Sequence, residues 1–293
     1  MAMFWKKGKK GEKEMSFLEH LEELRWHIIR SVLAIVFFMI IAFVFKTFVF
    51  DKIILAPKSS SFFTNRMLCQ LGERLLNTEA LCINSKHLDL ISIKMAGQLT
   101  THIAVSMVAG LILAFPIILW EFWQFFKPAL RPNESAYAKG AVAAASILFF
   151  IGVLFGYYLL SPLSMHFLGS YEVSPEVSNQ INIRSYIGTL SSICLATGLV
   201  FELPIISFFL TKIGLVTPSF LRKYRKHALV IIFILSAIIT PPDVFSQMLV
   251  SIPLILLYEV GIAISVRVVK RNEKEREEFL KDDEPEKAET TTS

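Results

Sequence analysis

Residues 28–50 read IIRSVLAIVFFMIIAFVFKTFVF, an apolar run broken by only two charges, Arg30 and Lys46. A helix crossing the hydrocarbon core of a bilayer needs about 20 apolar residues, and this run is long enough. It is too long for the apolar core of a cleavable leader, and no small-residue cleavage site follows it. It therefore reads as a retained membrane span. Working outward, further apolar segments fall at 96–119, 139–160, 186–211, 228–240 and 247–266. The fold expected is all-α: a polytopic membrane protein with six transmembrane helices.

Composition agrees. Of 293 residues, 54% are hydrophobic and 19% charged, and mean hydropathy is +0.54. A soluble domain is nearer 45–50% apolar and about 25% charged. Disordered and disulfide-stapled classes are excluded on the same grounds. No Walker loop, dinucleotide fingerprint or metal-spaced His/Cys cluster occurs, so no catalytic residue, metal site or cofactor is expected. The net charge of +5 is explained by basic inner loops rather than by a nucleic-acid partner. Lys127, Arg131 and Lys139 follow span two. Arg222, Lys223, Arg225 and Lys226 follow span four, and Arg267, Lys270 and Arg271 follow span six. By the positive-inside rule both termini are expected in the cytoplasm.

Three regions result: a cytoplasmic N-terminal stretch, 1–27; the membrane domain, 28–266; and a charged, then Thr-rich tail, 267–293, expected to be disordered. Ser16 and Glu19 form a capping box, so a helix lying at the interface is expected before it turns into span one. The segments expected to form helices five and six are short, about 20 Å for 228–240 against a core near 30 Å, and Pro253 interrupts the sixth. The first outer loop, 51–95, carries Cys69 and Cys82, placed to form a bridge in an oxidising periplasm. Cys194 lies inside span four as a packing residue.

Acids inside a bilayer are costly and are functional suspects. Glu202, in Phe201-Glu202-Leu203-Pro204, is either a functional carboxyl or a buried acid that fixes helix packing; Pro204 should kink the helix there. Glu259 lies within about two turns of Arg267 and reads as a snorkelled acid or ion pair. Thr240-Pro241-Pro242-Asp243 reads as a helix start, with Thr240 as N-cap and Asp243 facing the dipole. Gln247, one turn on, is placed to hydrogen-bond across helices. Glu23 and Glu134 lie close to the membrane in a basic setting, either as solvated helix acids or as a binding pair. Used as a pair, Glu202 and Glu259 suggest an alternative: a proton-coupled small-solute transporter.

Taken in order, four motifs resemble the TatC family, the multispanning subunit of the twin-arginine protein translocase. They are His20-Leu21-Glu22-Glu23-Leu24-Arg25, Phe125-x-x-Pro128-Ala129-Leu130 with Glu134, Phe201-Glu202-Leu203-Pro204, and Thr240-Pro241-Pro242-Asp243-Val244-Phe245-Ser246-Gln247. The resemblance implies a receptor for folded cargo with a paired-arginine signal peptide, exported across the bacterial inner membrane on the proton gradient. It implies that Glu23 and Glu134 contact the arginines, with Arg25 and Phe125 supporting that surface. Pro57 matches a family proline after span one, and Glu202 matches a buried polar position. The implied partners are TatA- and TatB-type single-span subunits, received near Thr240, Asp243 and Gln247, together with the lipid bilayer and self-association in the receptor complex. One departure is local: His27 stands where the family commonly has a second basic residue, so a titratable group replaces a fixed charge.

Overall fold

No glycine or proline interrupts residues 17–44, and the backbone there forms one helix, α1 (Phe17–Val44). The computed structural model describes residues 17–59, 61–76, 90–126, 138–174, 176, 179–240 and 244–289. The expected turn between an interfacial helix and span one is absent, because nothing in that stretch breaks the hydrogen-bond ladder. Ser16, the expected cap, lies outside the described residues.

After α1 the helix widens through a π-helical segment, Phe48–Ile54, then tightens through a 3₁₀ turn, Ala56–Lys58, which buries Pro57. Helix α2 (Phe63–Leu76) follows. The strand β1 (Leu90–Ile91) pairs in parallel with β2 (Ile181–Asn182), Leu90 opposite Ile181. The long connection is thus built onto the helices rather than left as open loop. Tyr157 and Tyr186 donate their hydroxyls to Ile53 O and Ile54 O, each at 2.8 Å, and Thr64 Oγ1 donates to Tyr158 O. Cys69 is disulfide-bonded, whereas Cys194 is buried and free. Cys82, the expected partner, lies outside the described residues.

Helix α3 (Gly97–Phe126) stays helical through Pro116 and packs along α1. Gly110 makes the approach possible: a Cβ there would lie 2.8 Å from both Ile35 O and Met39 N. The third expected span continues past 160. It comprises α4 (Ala138–Phe155), a π turn at Gly156–Leu160 and α5 (Ser161–Ser170). The buried hydroxyl of Ser161 also donates to Gly156 O at 2.8 Å, adding to the bond that carbonyl already accepts from the Ser161 N–H.

The fourth expected span is two helices, α6 (Ile183–Val200) and α7 (Leu203–Lys212), separated at Phe201-Glu202. Pro204 has no N–H to offer Val200 O, so the first ladder must end and a new one begin. A short α8 (Pro218–Lys223), capped by Thr217 Oγ1 accepting from Phe220 N, leads to α9 (Arg225–Ile239). At 15 residues, α9 rises only about 22 Å, less than a hydrocarbon core near 30 Å. Helix α10 (Val244–Glu289) corrects the expectation of a short sixth helix: it runs 46 residues through Pro253 without a break. Beyond 266 its Lys, Arg and Glu residues are strong helix formers, and helical backbone replaces the expected disorder as far as Glu289.

Among the described residues, five helical stretches are long and apolar enough to cross a membrane: Leu21–Val44, Gly97–Phe125, Gly140–Ser170, Ile183–Lys212 and Gln247–Lys274. Helix α9 falls short of that length. Two apolar clusters hold the bundle together. One joins α1, α3 and α6 around Ala42, Val105, Tyr186, Leu190 and Cys194; the other joins α6, α9 and α10 around Ile193, Phe201, Ile232, Val250 and Leu254. Helix α7 packs along α10, where Thr211 Oγ1 and Ser265 Oγ share a buried hydrogen bond of 2.8 Å.

Candidate functional site

Glu23, His27 and Arg30 recur at helical spacing and share one stripe of α1. The last turns of α3 lie against that stripe and bring Glu121 and Phe125, themselves one turn apart. His27 Nδ1 and Glu121 Oε2 are 2.6 Å apart, with only 12% and 11% of the two side chains exposed. Arg30, more than half exposed, adds an ion pair to the same Oε2 at 3.6 Å. The Phe125 ring meets the His27 ring edge-on, centroids 6.3 Å apart. One turn nearer the start of α1, Glu23 is half-buried, and its Oε2 is buried with no hydrogen-bond partner among the described residues. A carboxylate in that state has an unused strong acceptor, and desolvation makes it a site for a cationic donor.

Of the residues expected to bind ligand, the structure brings Glu23 and Phe125 to one region, with His27 between them. Arg25 is exposed, its guanidinium 5.7 Å from the Trp26 ring centroid. Glu134 lies outside the described residues. Glu121 was not singled out from sequence. The signal was available: an acid inside Trp120-Glu121-Phe122-Trp123, an otherwise aromatic stretch. Its partner His27 lies 94 residues away, and no local spacing reveals that. Trp123 shares the region; its Nε1 is buried without a partner among the described residues, and its ring meets Phe209 of α7 at 4.8 Å.

The intramembrane polar residues lie elsewhere. Glu202 sits at the α6–α7 break, 6% exposed, with Oε1 unpartnered among the described residues, while its backbone carbonyl accepts from Ile205 N and Ile206 N. Gln247 Nε2 donates to Phe233 O at 3.1 Å, tying α10 to α9. Ser251 Oγ reinforces that seam by donating to Ser236 Oγ at 3.0 Å. Glu259 pairs with Arg225 at 2.7 Å. The ion pair therefore bridges α10 to the start of α9, not to Arg267 one helix face along, because α9 presents its first residue directly to α10. Thr240 is buried, and its hydroxyl donates back to Ser236 O at 2.7 Å. It closes α9; Pro241 and Pro242, the residues it was expected to cap, lie outside the described residues. Asp243 lies outside the described residues.

A concavity of about 690 Å³ opens between α1, α3, α4 and α6. Its walls are apolar, among them Ile41, Phe45, Ile112 and Leu154, with Lys52 on its lining. Among the described residues, no three His, Cys, Asp or Glu side chains are grouped to hold a metal ion.

The sequence matches the family model for Sec-independent protein translocase protein (TatC) over residues 19–253. The chain belongs to the TatC family. A TatC from Blattabacterium sp. subsp. Periplaneta americana (strain BPLAN) is 40% identical over 264 residues, covering 89% of this chain and 99% of that one. TatCy of Bacillus subtilis (strain 168) is 31% identical, covering 89% of this chain and 92% of that one. A solved structure described as the twin arginine translocase receptor TatC superposes with a TM-score of 0.64 at 32% identity, covering 86% of this chain and all of that one. This TatC chain is thus a membrane-spanning protein translocase component, of a transport family rather than an enzyme family. The family match takes in Glu23, Glu121, Phe125, Glu202 and Gln247; Glu259 lies beyond it.

Proposed function

We propose that this TatC chain is the receptor and core subunit of the twin-arginine translocase in the bacterial inner membrane, and that it binds the paired arginines of signal peptides through Glu23 and Glu134. The observation that carries the reading is Glu23 Oε2, buried with no hydrogen-bond partner among the described residues, one helical turn from the His27 ring that Phe125 meets. A guanidinium offers a planar fork of donors that a carboxylate meets with two hydrogen bonds, whereas an ammonium is a point charge. Two carboxylates on separate segments then favour Arg-Arg over Lys-Lys. Arg25 and Phe125 border this surface.

In this reading the chain has six spans, α9 being the short fifth, with both termini cytoplasmic and the Glu23 end of the bundle facing the cytoplasm. The regions are 1–27, 28–266 and 267–293. Cys82 is the partner of Cys69 on the periplasmic face, and Pro57 shapes that face. The short α9 and the start of α10, with Thr240, Asp243 and Gln247, receive TatA- and TatB-type subunits, and copies of the chain associate within the receptor complex. The proton gradient drives transport. A small-solute transporter using Glu202 and Glu259 finds less support, since Glu259 is held by Arg225.

Photocrosslinkers placed at positions 23 and 134 should capture an Arg-Arg signal peptide. Glu23→Gln should weaken peptide binding about 10- to 100-fold, the worth of one or two charge-assisted hydrogen bonds at roughly 1.5–3 kcal/mol. Unchanged binding in both Glu23→Gln and Glu134→Gln would remove the assignment.

A further inference from the structure

Glu121 is buried and acidic, and among the described residues its Oε2 is held by groups on α1: His27 at 2.6 Å and Arg30 at 3.6 Å. Those two side chains share their stripe with Glu23. A glutamate four residues before a cationic side chain on a helix is well placed to pair with it, so the default partner of His27 is Glu23, one turn away. The structure shows another arrangement. His27 turns to α3 and Phe125 packs against its ring, while Glu23 Oε2 stays buried with no partner among the described residues.

We propose that Glu121 is a positioning residue that keeps Glu23 available, by holding the His27 and Arg30 side chains of α1 that would otherwise bond to the carboxylate the incoming arginine must reach. The inference rests on the receptor reading above and adds to it a residue that touches no peptide. Its logic is competition. A receptor that reads guanidinium with a carboxylate must keep its own nearby cations off that carboxylate, and the cheapest device is a second acid placed behind them. Burial sharpens the effect. His27 is 12% exposed, so an imidazole deprived of Glu121 has little water to turn to, and Glu23 is the nearest acid on its own helix face. The charged and titratable groups facing His27 among the described residues are Glu23 and Arg30 on α1 and Glu121 on α3.

The test uses the full chain in lipid nanodiscs and a fluorescent peptide carrying paired arginines before an apolar run, with its Lys-Lys counterpart as reference. Glu121→Gln should bind the Arg-Arg peptide about five-fold more weakly, a loss on the scale of one competing hydrogen bond. Adding His27→Gln to Glu121→Gln should recover most of that loss, because the competitor is gone. A clasp that merely fastens α1 to α3 predicts the reverse, since the second substitution only removes further contacts. Unaltered binding in Glu121→Gln, or a double variant no better than the single one, overturns the proposal. Glu23→Gln is the separate control: if it binds like the wild type, the receptor reading itself fails.

Discussion

Asn65 is 1% exposed, and its side-chain amide donates to Pro57 O at 3.3 Å and Ser59 O at 2.8 Å. One side chain thus ties together two carbonyls of the turn that follows α1. Asn65→Ala should cost about 1 kcal/mol, the net worth of a hydrogen bond in a folded protein, and lower the thermal midpoint of the purified protein in detergent. Gln247→Leu should cost less, about 0.6 kcal/mol, typical of an interhelical hydrogen bond in a membrane protein; the same melt checks it. These two residues also mark where sequence reading succeeds at this scale. An amide in an apolar helix announces a cross-helix bond, and Gln247 makes one to α9. The partners of Glu259 and His27 were hidden, because Arg225 and Glu121 come from other helices and only the packed bundle juxtaposes them. The hydroxyl of Thr240 likewise finds its partner in the packed structure, donating to Ser236 O in the turn before it.

Helix α1 depends on close contact with α3 at Gly110, where any Cβ would meet backbone atoms of Ile35 and Met39 at 2.8 Å. Backbone cannot rotate out of the way as a side chain does, so Gly110→Ala must push the two helices apart. The expected cost is about 1–3 kcal/mol, read as a lower melting midpoint. Because the same helix pair aligns His27 with Glu121, peptide binding should weaken in parallel. Gly110→Ala with wild-type stability would contradict the packing described. Most elements were legible from apolar runs, since a bilayer demands a long apolar helix for each crossing. The breaks were partly legible: Pro204 signalled the α6–α7 division, whereas Pro116 and Pro253 lie in helices that continue through them. A proline removes one donor and crowds one carbonyl, and neighbouring helices decide whether the ladder ends there. The π turn at Gly156–Leu160 left no mark that periodicity detects.

For the molecule as a whole, the disulfide at Cys69 is a marker of compartment. In the proposed orientation a membrane-impermeant thiol reagent should label Cys69 from the periplasmic side of intact cells only after reduction. Reduction should also destabilise the protein by about 3 kcal/mol, the loop-closure value for a bridge to Cys82 about 14 residues away. Labelling restricted to the cytoplasmic side would reverse the topology. The general plan, an all-helical membrane bundle of the TatC family, was legible because four spaced motifs and the span pattern agree along the chain. What the sequence could not show is which polar groups are already engaged, and that distinction separates Glu23, whose Oε2 has no partner among the described residues, from Glu259, which has one. The most direct test is equilibrium binding of an Arg-Arg signal peptide and its Lys-Lys counterpart to the chain in nanodiscs, for wild type and Glu23→Gln. The account predicts at least tenfold preference for Arg-Arg in the wild type, on the order of one charge-assisted hydrogen bond, and collapse of that preference in the variant. Equal affinity of the wild type for both peptides would contradict it.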